Sequence, residues 1–105
     1  MNSKGSFGEA SPIYLRASII EAVLLSCITE SSFFKINQYV QRVVPTSNSS
    51  LRKYIFHLID NAFISYNGDK KTYAINSSGL KLLDIIYSLQ NNGPLGYTDL
   101  VIKIN

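Results

Sequence analysis

The amino-acid sequence predicts a small, mainly α-helical domain with one β-hairpin, which places it in the α+β class. Three observations support this prediction. Apolar residues recur at helical spacing in four separate segments. A further segment alternates apolar and polar residues on both sides of a polar turn, NGDK. The chain has 105 residues, 46% of them hydrophobic, which is enough for one domain with one modest core.

The first predicted helix runs from about Pro12 to Thr29. It follows a Gly- and Ser-rich segment, residues 1–10, that we expect to be a flexible arm. Ser11 is suited to the N-cap and Pro12 to the first helical position, where its missing N–H costs nothing. The apolar face of this helix is wide, and we expect it to anchor the core. The single cysteine, Cys27, lies on that face and is expected to be buried rather than reactive.

Two further helices are predicted on either side of a short polar break. The first covers about Phe34 to Val44 and ends there, because the residue before Pro45 is disfavoured in the helical region. The second covers about Asn48 to Asn61, with Ser47 as its N-cap and an apolar stripe that faces the core. Two helices joined this closely indicate a helix-turn-helix.

The hairpin, residues 63–75, follows directly, and we expect its Asn-Gly dipeptide to supply the positive φ of the turn. A fourth helix is predicted over about Ser78 to Asn91, capped by Asn76 or Ser77. Its apolar face is broader than one small core requires.

We therefore divide the chain into an arm (1–10), a folded domain (11–92) and a C-terminal tail (93–105). The tail has a β-like composition, and the sequence leaves three alternatives for it: an edge strand, packing on the surface, or a contact with a second copy.

Positive charge is concentrated in the middle of the chain. Between Lys35 and Lys71 there are six basic and two acidic side chains, a net charge of +4, whereas the rest of the chain has a net charge of −1. A localised basic face is the minimal electrostatic requirement for a polyanionic partner.

The order of three helices, a hairpin and a fourth helix is that of a winged helix-turn-helix. In that fold the hairpin is the wing, beside the helix that enters a DNA groove. An isolated two-stranded hairpin is marginally stable in water, so this one has to pack on the helices. Packed there, it would carry the lysines of its turn towards a second stretch of phosphate backbone.

One long segment resembles a known family: TSNSSLRKYIFHLIDNAFISYNGDKKTYAINSSGLKLLDII is similar to the archaeal winged-helix regulators of the ArnR-like group and to the small dimeric archaeal chromatin-type proteins. The shared features fall on Thr46-Ser47, Tyr54-Ile55, Leu58, Phe63-Ile64, Tyr73 to Asn76, Gly79 and Leu82-Leu83. Thr46 stands where the family has leucine, and Asn76 where it has threonine. The last helix stops at NNGP instead of continuing into the coiled coil of the dimeric relatives. The resemblance covers about residues 17–89.

The winged-helix interpretation places the helix over about 48–61 in the major groove and the wing, 63–75, on the phosphate backbone. The candidates for DNA contact are Lys35, Arg42, Asn48, Ser49, Ser50, Arg52, Lys53, Lys70 and Lys71. Arg52 is suited to a bidentate contact with guanine and Asn48 to one with adenine. We expect the two serines and Lys53 to contact phosphates instead. Lys70 and Lys71 would contact phosphates from the wing, and the two candidates on the preceding helix would contact flanking phosphates.

The expected function is that of a transcription regulator or chromatin-associated protein, a homodimer on double-stranded DNA in the cytoplasm, at the nucleoid. We expect no enzymatic activity, cofactor, metal or small-molecule ligand, and the lone histidine, His57, is interpreted as a surface residue. We expect no membrane span, because Glu21 interrupts the longest apolar run. The alternative is a winged-helix module that binds a protein, which Phe56 on the outer face and the apolar tail would favour. A weaker alternative is a ligand sensor at the dimer interface.

Overall fold

The computed structural model describes residues 13–92 and 100–104. The predicted class is confirmed, since the described chain is mainly helical with a small antiparallel hairpin. The elements follow in the order β1 (Ile13–Arg16), α1 (Ala17–Ser26), α2 (Phe33–Val43), α3 (Asn48–Asp60), β2 (Ile64–Asn67), β3 (Thr72–Ile75), α4 (Ser77–Asn92) and β4 (Val101–Ile104). The predicted arm, residues 1–10, lies outside the described residues.

The start of the first helix is predicted wrongly. Residues 13–16 form a strand, and α1 begins at Ala17, with Arg16 in extended conformation at its N-cap position. Leu15 is buried, whereas Tyr14 and Arg16 on either side of it are exposed, which is the alternation of a half-buried strand. Ser11 and Pro12, the expected cap and first helical residue, lie outside the described residues, and α1 does not start beside them.

The described part of the tail, residues 100–104, supplies the partner of this strand. β4 runs antiparallel to β1, with Ile13 opposite Ile104 and Arg16 opposite Val101. The Leu100 carbonyl also accepts a hydrogen bond from the Ala17 N–H at 2.6 Å. Ile104 is buried in the core, so of the three alternatives for the tail, an edge strand is the one found over residues 101–104.

Helix α1 lies at the centre of the core, next to α2, α3 and α4, and its buried side chains belong to the same hydrophobic cluster. The fully buried large side chains are Ile20, Val23, Leu24, Cys27, Ile36, Val40, Leu51, Leu58, Ile64 and Ile86. The predicted burial of Cys27 is confirmed. Burial raises the pKa of the Cys27 thiol to about 11, so the unreactive thiol is its form at neutral pH.

The hairpin pairs with more than its own two strands. Within it, Ile64 lies opposite Ile75 and the strands run antiparallel. On the other side of β3, the Ser31 N–H donates to the Tyr73 carbonyl at 3.0 Å, and the Tyr73 N–H donates to the Ser31 carbonyl at 2.8 Å. The Ile75 N–H donates to the Cys27 carbonyl at 2.8 Å. β3 therefore lies between β2 and the connection that joins α1 to α2.

The prediction that Asn67-Gly68 supplies the positive φ of the hairpin turn is wrong. The left-handed residue is Lys71, with φ 56°, and Gly68 is not in that region. The Asn67 side-chain carbonyl accepts from the backbone N–H of Asp69 at 2.9 Å and of Lys70 at 3.2 Å. The register leaves a four-residue loop, 68–71, instead of a two-residue turn, so the left-handed residue falls at the end of the loop.

A second junction ties the base of the hairpin to α3 and α4. Helix α3 ends in a Schellman motif, in which Ala62 adopts φ 62° and the Phe63 N–H donates to the Leu58 carbonyl at 2.8 Å. The Asn76 N–H donates to the Phe63 carbonyl at 2.9 Å, and the Asn76 side-chain amide donates to the Ala62 carbonyl at 3.0 Å. Asn76 immediately precedes α4, and its carbonyl accepts from the Leu80 N–H.

Gly79, in the first turn of α4, lets this junction close. A Cβ added there would lie 2.2 Å from the Phe63 carbonyl oxygen and 2.7 Å from Cγ1 of Ile75. The first of these atoms is backbone, so it cannot move aside as a flexible side chain could. The glycine that the family resemblance singled out therefore has a steric reason in this chain.

We expect Gly79→Ala to lower the free energy of unfolding by about 2–3 kcal/mol, measured by urea denaturation, because the added methyl group displaces backbone. Helix propensity alone predicts the opposite sign, a gain of about 1 kcal/mol. Gly68→Ala is the matched control, since its nearest neighbour would lie 3.9 Å away, and we expect a change within about 0.5 kcal/mol. A stabilising Gly79→Ala would contradict the steric argument.

Candidate nucleic-acid interface

The connection between α2 and α3 is fixed by the side chain of Gln41. Its Oε1 accepts a hydrogen bond from the Thr46 N–H at 3.0 Å, and its Nε2 donates to the Thr46 carbonyl. The same Nε2 donates to Oδ1 of Asn37, one turn earlier on α2, at 2.9 Å. Thr46 Oγ1 donates to the Val44 carbonyl at 2.8 Å. The short turn between the helices therefore has a defined geometry, which sets where α3 begins.

The first turn of α3 is a polar, exposed surface. Ser47 is its N-cap, as predicted, and accepts a hydrogen bond from the Ser50 N–H at 3.1 Å. The Ser49 hydroxyl lies 3.4 Å from that of Ser47. The side chains of Asn48, Ser49 and Ser50 are exposed. All three therefore have the accessibility that a contact with DNA requires.

The next turn of α3 has two exposed basic side chains, Arg52 and Lys53, behind the buried Leu51. The guanidinium carbon of Arg52 lies 4.0 Å from the centre of the Phe33 ring, at the start of α2. This cation–π contact orients Arg52 towards α2 and the hairpin, which the sequence did not predict. The cation–π contact uses the face of the guanidinium, whereas hydrogen bonds use the N–H groups at its edge.

The hairpin places its two candidate lysines differently. Lys70 Nζ lies 3.6 Å from Oε1 of Glu30, in the connection that joins α1 to α2. Both side chains are well exposed, so the ion pair contributes little to stability and a phosphate can compete for the lysine. Lys71, the left-handed residue of the turn, is exposed.

The two candidates on α2 lie at opposite ends of that helix. Lys35 is in the first turn and Arg42 in the last, about 10 Å apart along the axis at the helical rise, and both are exposed. Arg52 lies beside the start of α2 through its contact with Phe33, so the structure brings the Lys35 end of α2 and α3 together. Arg42 is instead adjacent to the turn that leads into α3.

Several aromatic residues of this surface were missed by sequence reasoning. A cleft of about 180 Å³ separates α3 from the hairpin and is lined by Phe33, Arg52, Ile55, Phe56, Ile59 and Tyr73. The centres of the Tyr66 and Tyr73 rings lie 4.8 Å apart, across the hairpin strands. Burial, more than the neighbouring Tyr66, raises the pKa of the Tyr73 hydroxyl, which keeps it neutral at physiological pH. The alternation of tyrosines in the two strands was the available signal.

A second concave surface lies between α1 and α4, away from the candidate residues. Its volume is about 530 Å³, and its lining is Glu21, Leu25, Leu80, Leu83, Asp84 and Tyr87. Burial raises the pKa of the Glu21 carboxyl. Three further apolar side chains are each 53% exposed: Ile28, just after α1, and Ile85 and Leu89 on α4. α4 thus exposes the broad apolar face that its sequence predicted.

Residues 13–92 and 100–104 contain no group of three or more His, Cys, Asp or Glu side chains placed to hold a metal ion. Within those ranges no helix has both the length and the apolar character needed to cross a bilayer. His57 is half-buried, and its ring meets that of Phe56 edge to face at 5.4 Å.

Comparison with known proteins does not assign this chain to a family. No protein-family model matches the sequence, and no curated protein is significantly similar to it. The resemblance to archaeal winged-helix regulators therefore stays a prediction from the sequence.

We expect Gln41→Glu to lower the free energy of unfolding by about 1–2 kcal/mol at pH 7, measured by urea denaturation, because the introduced carboxylate cannot donate to the Thr46 carbonyl or to Asn37. Part of the loss should be recovered near pH 4, where the introduced carboxyl becomes a donor. Gln38→Glu makes the same change at another exposed position of α2, outside the hydrogen bonds of Gln41, and should alter stability by less than about 0.5 kcal/mol. Equal effects at the two positions would exclude a specific role for Gln41.

Proposed function

We propose that this protein is a winged helix-turn-helix protein that binds double-stranded DNA, with α3 in the major groove and the β2–β3 hairpin as the wing on the phosphate backbone. The observation that supports this most is the pairing of Ser31 with Tyr73. It makes β3 the middle of three extended segments and attaches the hairpin to the α1–α2 connection. The hairpin follows α3 directly and is thereby held near it.

The two faces of α3 support the same role. Leu51, Ile55 and Leu58 are buried, so the opposite face of the helix is turned towards solvent. Recognition helices approach base edges through their N-terminal turns. In α3 those turns contain Asn48 and Arg52, whose side chains have the donor and acceptor geometry for adenine and guanine. The stacking of Arg52 on Phe33 restricts the guanidinium before any DNA contact, which lowers the entropy lost on binding.

The lysines around α3 would contact phosphates. Lys53 is exposed on the helix, Lys71 is exposed at the end of the hairpin loop, and Lys35 is exposed at the start of α2. Lys70 would exchange its exposed partner, Glu30, for a phosphate. Ser49 and Ser50 would add neutral phosphate contacts, and Arg42 would contact the flanking backbone.

The biological role that fits this mode of binding is that of a transcription regulator or a chromatin-associated protein at the nucleoid, as the resemblance to archaeal regulators implies. We propose a homodimer, because a two-fold protein reads two half-sites of a DNA duplex. The exposed Ile85 and Leu89 make α4 the best-supported contact surface between copies.

One observation favours a second function, a winged-helix module that binds a protein. Phe56 is 63% exposed on α3, next to the cleft, where a purely polar DNA-reading face would not need it. A hydrophobic protein contact would be insensitive to salt, whereas phosphate contacts release counterions. The salt dependence of binding therefore separates the two functions.

We expect the protein to bind labelled random duplex DNA in fluorescence anisotropy, with an affinity that falls steeply as salt rises. Lys53→Ala and Lys71→Ala should each weaken binding and reduce the slope of log K against log salt by about 1. Lys81→Ala on α4 removes the same charge outside this surface and should leave the slope unchanged. No binding at low salt, or equal effects of all three variants, would contradict the proposed interface.

We expect the wild-type protein to be a dimer in sedimentation equilibrium and the double variant Ile85→Glu/Leu89→Glu to be a monomer, because the change places charges at the contact. Glutamate is a good helix former, so α4 should be retained, as circular dichroism would verify. Val101→Glu alters a 61% exposed apolar residue on β4 and should leave the dimer intact. A monomeric wild type would overturn the dimer, and dissociation by Val101→Glu alone would transfer the contact to β4.

A further inference from the structure

Four aromatic rings and one guanidinium form a continuous surface from α3 to the hairpin. Phe33, Phe56 and Tyr73 line the cleft together with Arg52. Tyr66 extends this row through its ring contact with Tyr73. We call these five residues the aromatic platform.

Two of the four rings of the platform are accessible to a ligand. Phe56 is 63% exposed and Tyr66 is 47% exposed, while Phe33 and Tyr73 are half-buried. The rings that are half-buried are packed on the core, so the platform has a rigid base. Exposed apolar area concentrated on one otherwise polar surface indicates a binding site.

Exposed cations, together with the acids Asp60 and Asp69, lie on the elements that border the platform. Lys53 on α3 and Lys71 on the hairpin loop are exposed on the two elements that border the cleft. Arg52, whose guanidinium stacks on Phe33, is itself a group on which bases stack. Aromatic rings interleaved with Lys and Arg are the arrangement that binds single-stranded nucleic acid, with rings on bases and cations on phosphates.

An intact duplex cannot use these rings fully. Bases inside a duplex present their edges to the groove, and their faces are stacked on one another. Unpaired bases expose their faces, which is the surface that an aromatic side chain contacts by stacking. The chemistry of the platform therefore matches a polynucleotide with unpaired bases.

We propose that the aromatic platform stacks unpaired nucleobases, so that this protein binds single-stranded DNA on the surface between α3 and the hairpin. The proposal rests on the proposed function, since the same lysines would contact phosphates in both cases. It adds a second form of the partner: a DNA strand whose bases are unpaired, in addition to the intact duplex.

The first test compares two single strands in fluorescence anisotropy at low salt. One is labelled oligo(dT) of about 15 nucleotides, which is long enough for one such site. The other is an abasic strand of the same length, which keeps the phosphates and lacks the bases. We expect oligo(dT) to bind at least about tenfold more tightly, because two bases stacked on aromatic rings together raise the affinity by that factor or more. Equal affinities would overturn the proposal.

The second test uses variants of the two exposed rings. Phe56→Ala and Tyr66→Ala should each weaken oligo(dT) binding about fivefold or more and leave abasic-strand binding unchanged. Tyr14→Ala is the matched control, since Tyr14 is 63% exposed, like Phe56, and lies on β1. Wild-type affinity for oligo(dT) in both platform variants, with their fold verified by circular dichroism, would overturn the proposal.

A duplex arm separates this inference from the proposed function. Duplex binding combined with equal affinity for oligo(dT) and the abasic strand would overturn the platform and leave the proposed function in place. Base-dependent binding of oligo(dT) without duplex binding would support the platform and overturn the duplex function. Lys53→Ala/Lys71→Ala should weaken binding of all three probes, and no binding of any probe would overturn both.

Discussion

The hairpin depends on its pairing with the connection between α1 and α2. Two backbone hydrogen bonds between Ser31 and Tyr73, and a third from Ile75 to Cys27, attach β3 to a segment that is itself packed on the core. A two-stranded hairpin alone is marginal in water. At its base, Asn76 adds bonds to Ala62 and Phe63, where α3 ends. The hairpin is thus attached at both sides, which fixes the backbone positions of the residues around the cleft.

Local signals predicted the elements that local chemistry determines. Pro45 and the Ser47 cap predicted the end of α2 and the start of α3 to within one residue of those observed, because both act on their immediate neighbours. The start of α1 could not be predicted this way, since residues 13–16 become a strand only by pairing with Val101–Ile104 at the other end of the described chain. The left-handed residue of the turn depends on the register of β2 and β3, which the Asn-Gly dipeptide alone does not determine.

The candidate site shows the same division. The exposure of Asn48, Arg52 and Lys53 followed from the spacing of the buried residues on α3. The partners of Arg52 and Lys70 did not, because Phe33 and Glu30 reach them from other elements. Because of these contacts, the candidate surface is a mixture of aromatic rings and charged groups, and not a row of free cations. An exposed ion pair and a stacked guanidinium both keep the cations solvated, so neither requires the desolvation that makes a buried charge unavailable.

The pairing of β1 with β4 also has a mechanical consequence. Ile13, the first residue of β1, lies opposite Ile104, the last residue of β4, so the chain enters and leaves these strands side by side. A force that separates these two points would load the hydrogen bonds of the pair one at a time, beginning at Ile13 and Ile104, instead of all together. Under tension, opening would therefore start at this small sheet and reach α1 only afterwards. α3 and the hairpin, which lie between these points in the chain, are shielded from the first steps of such an extension.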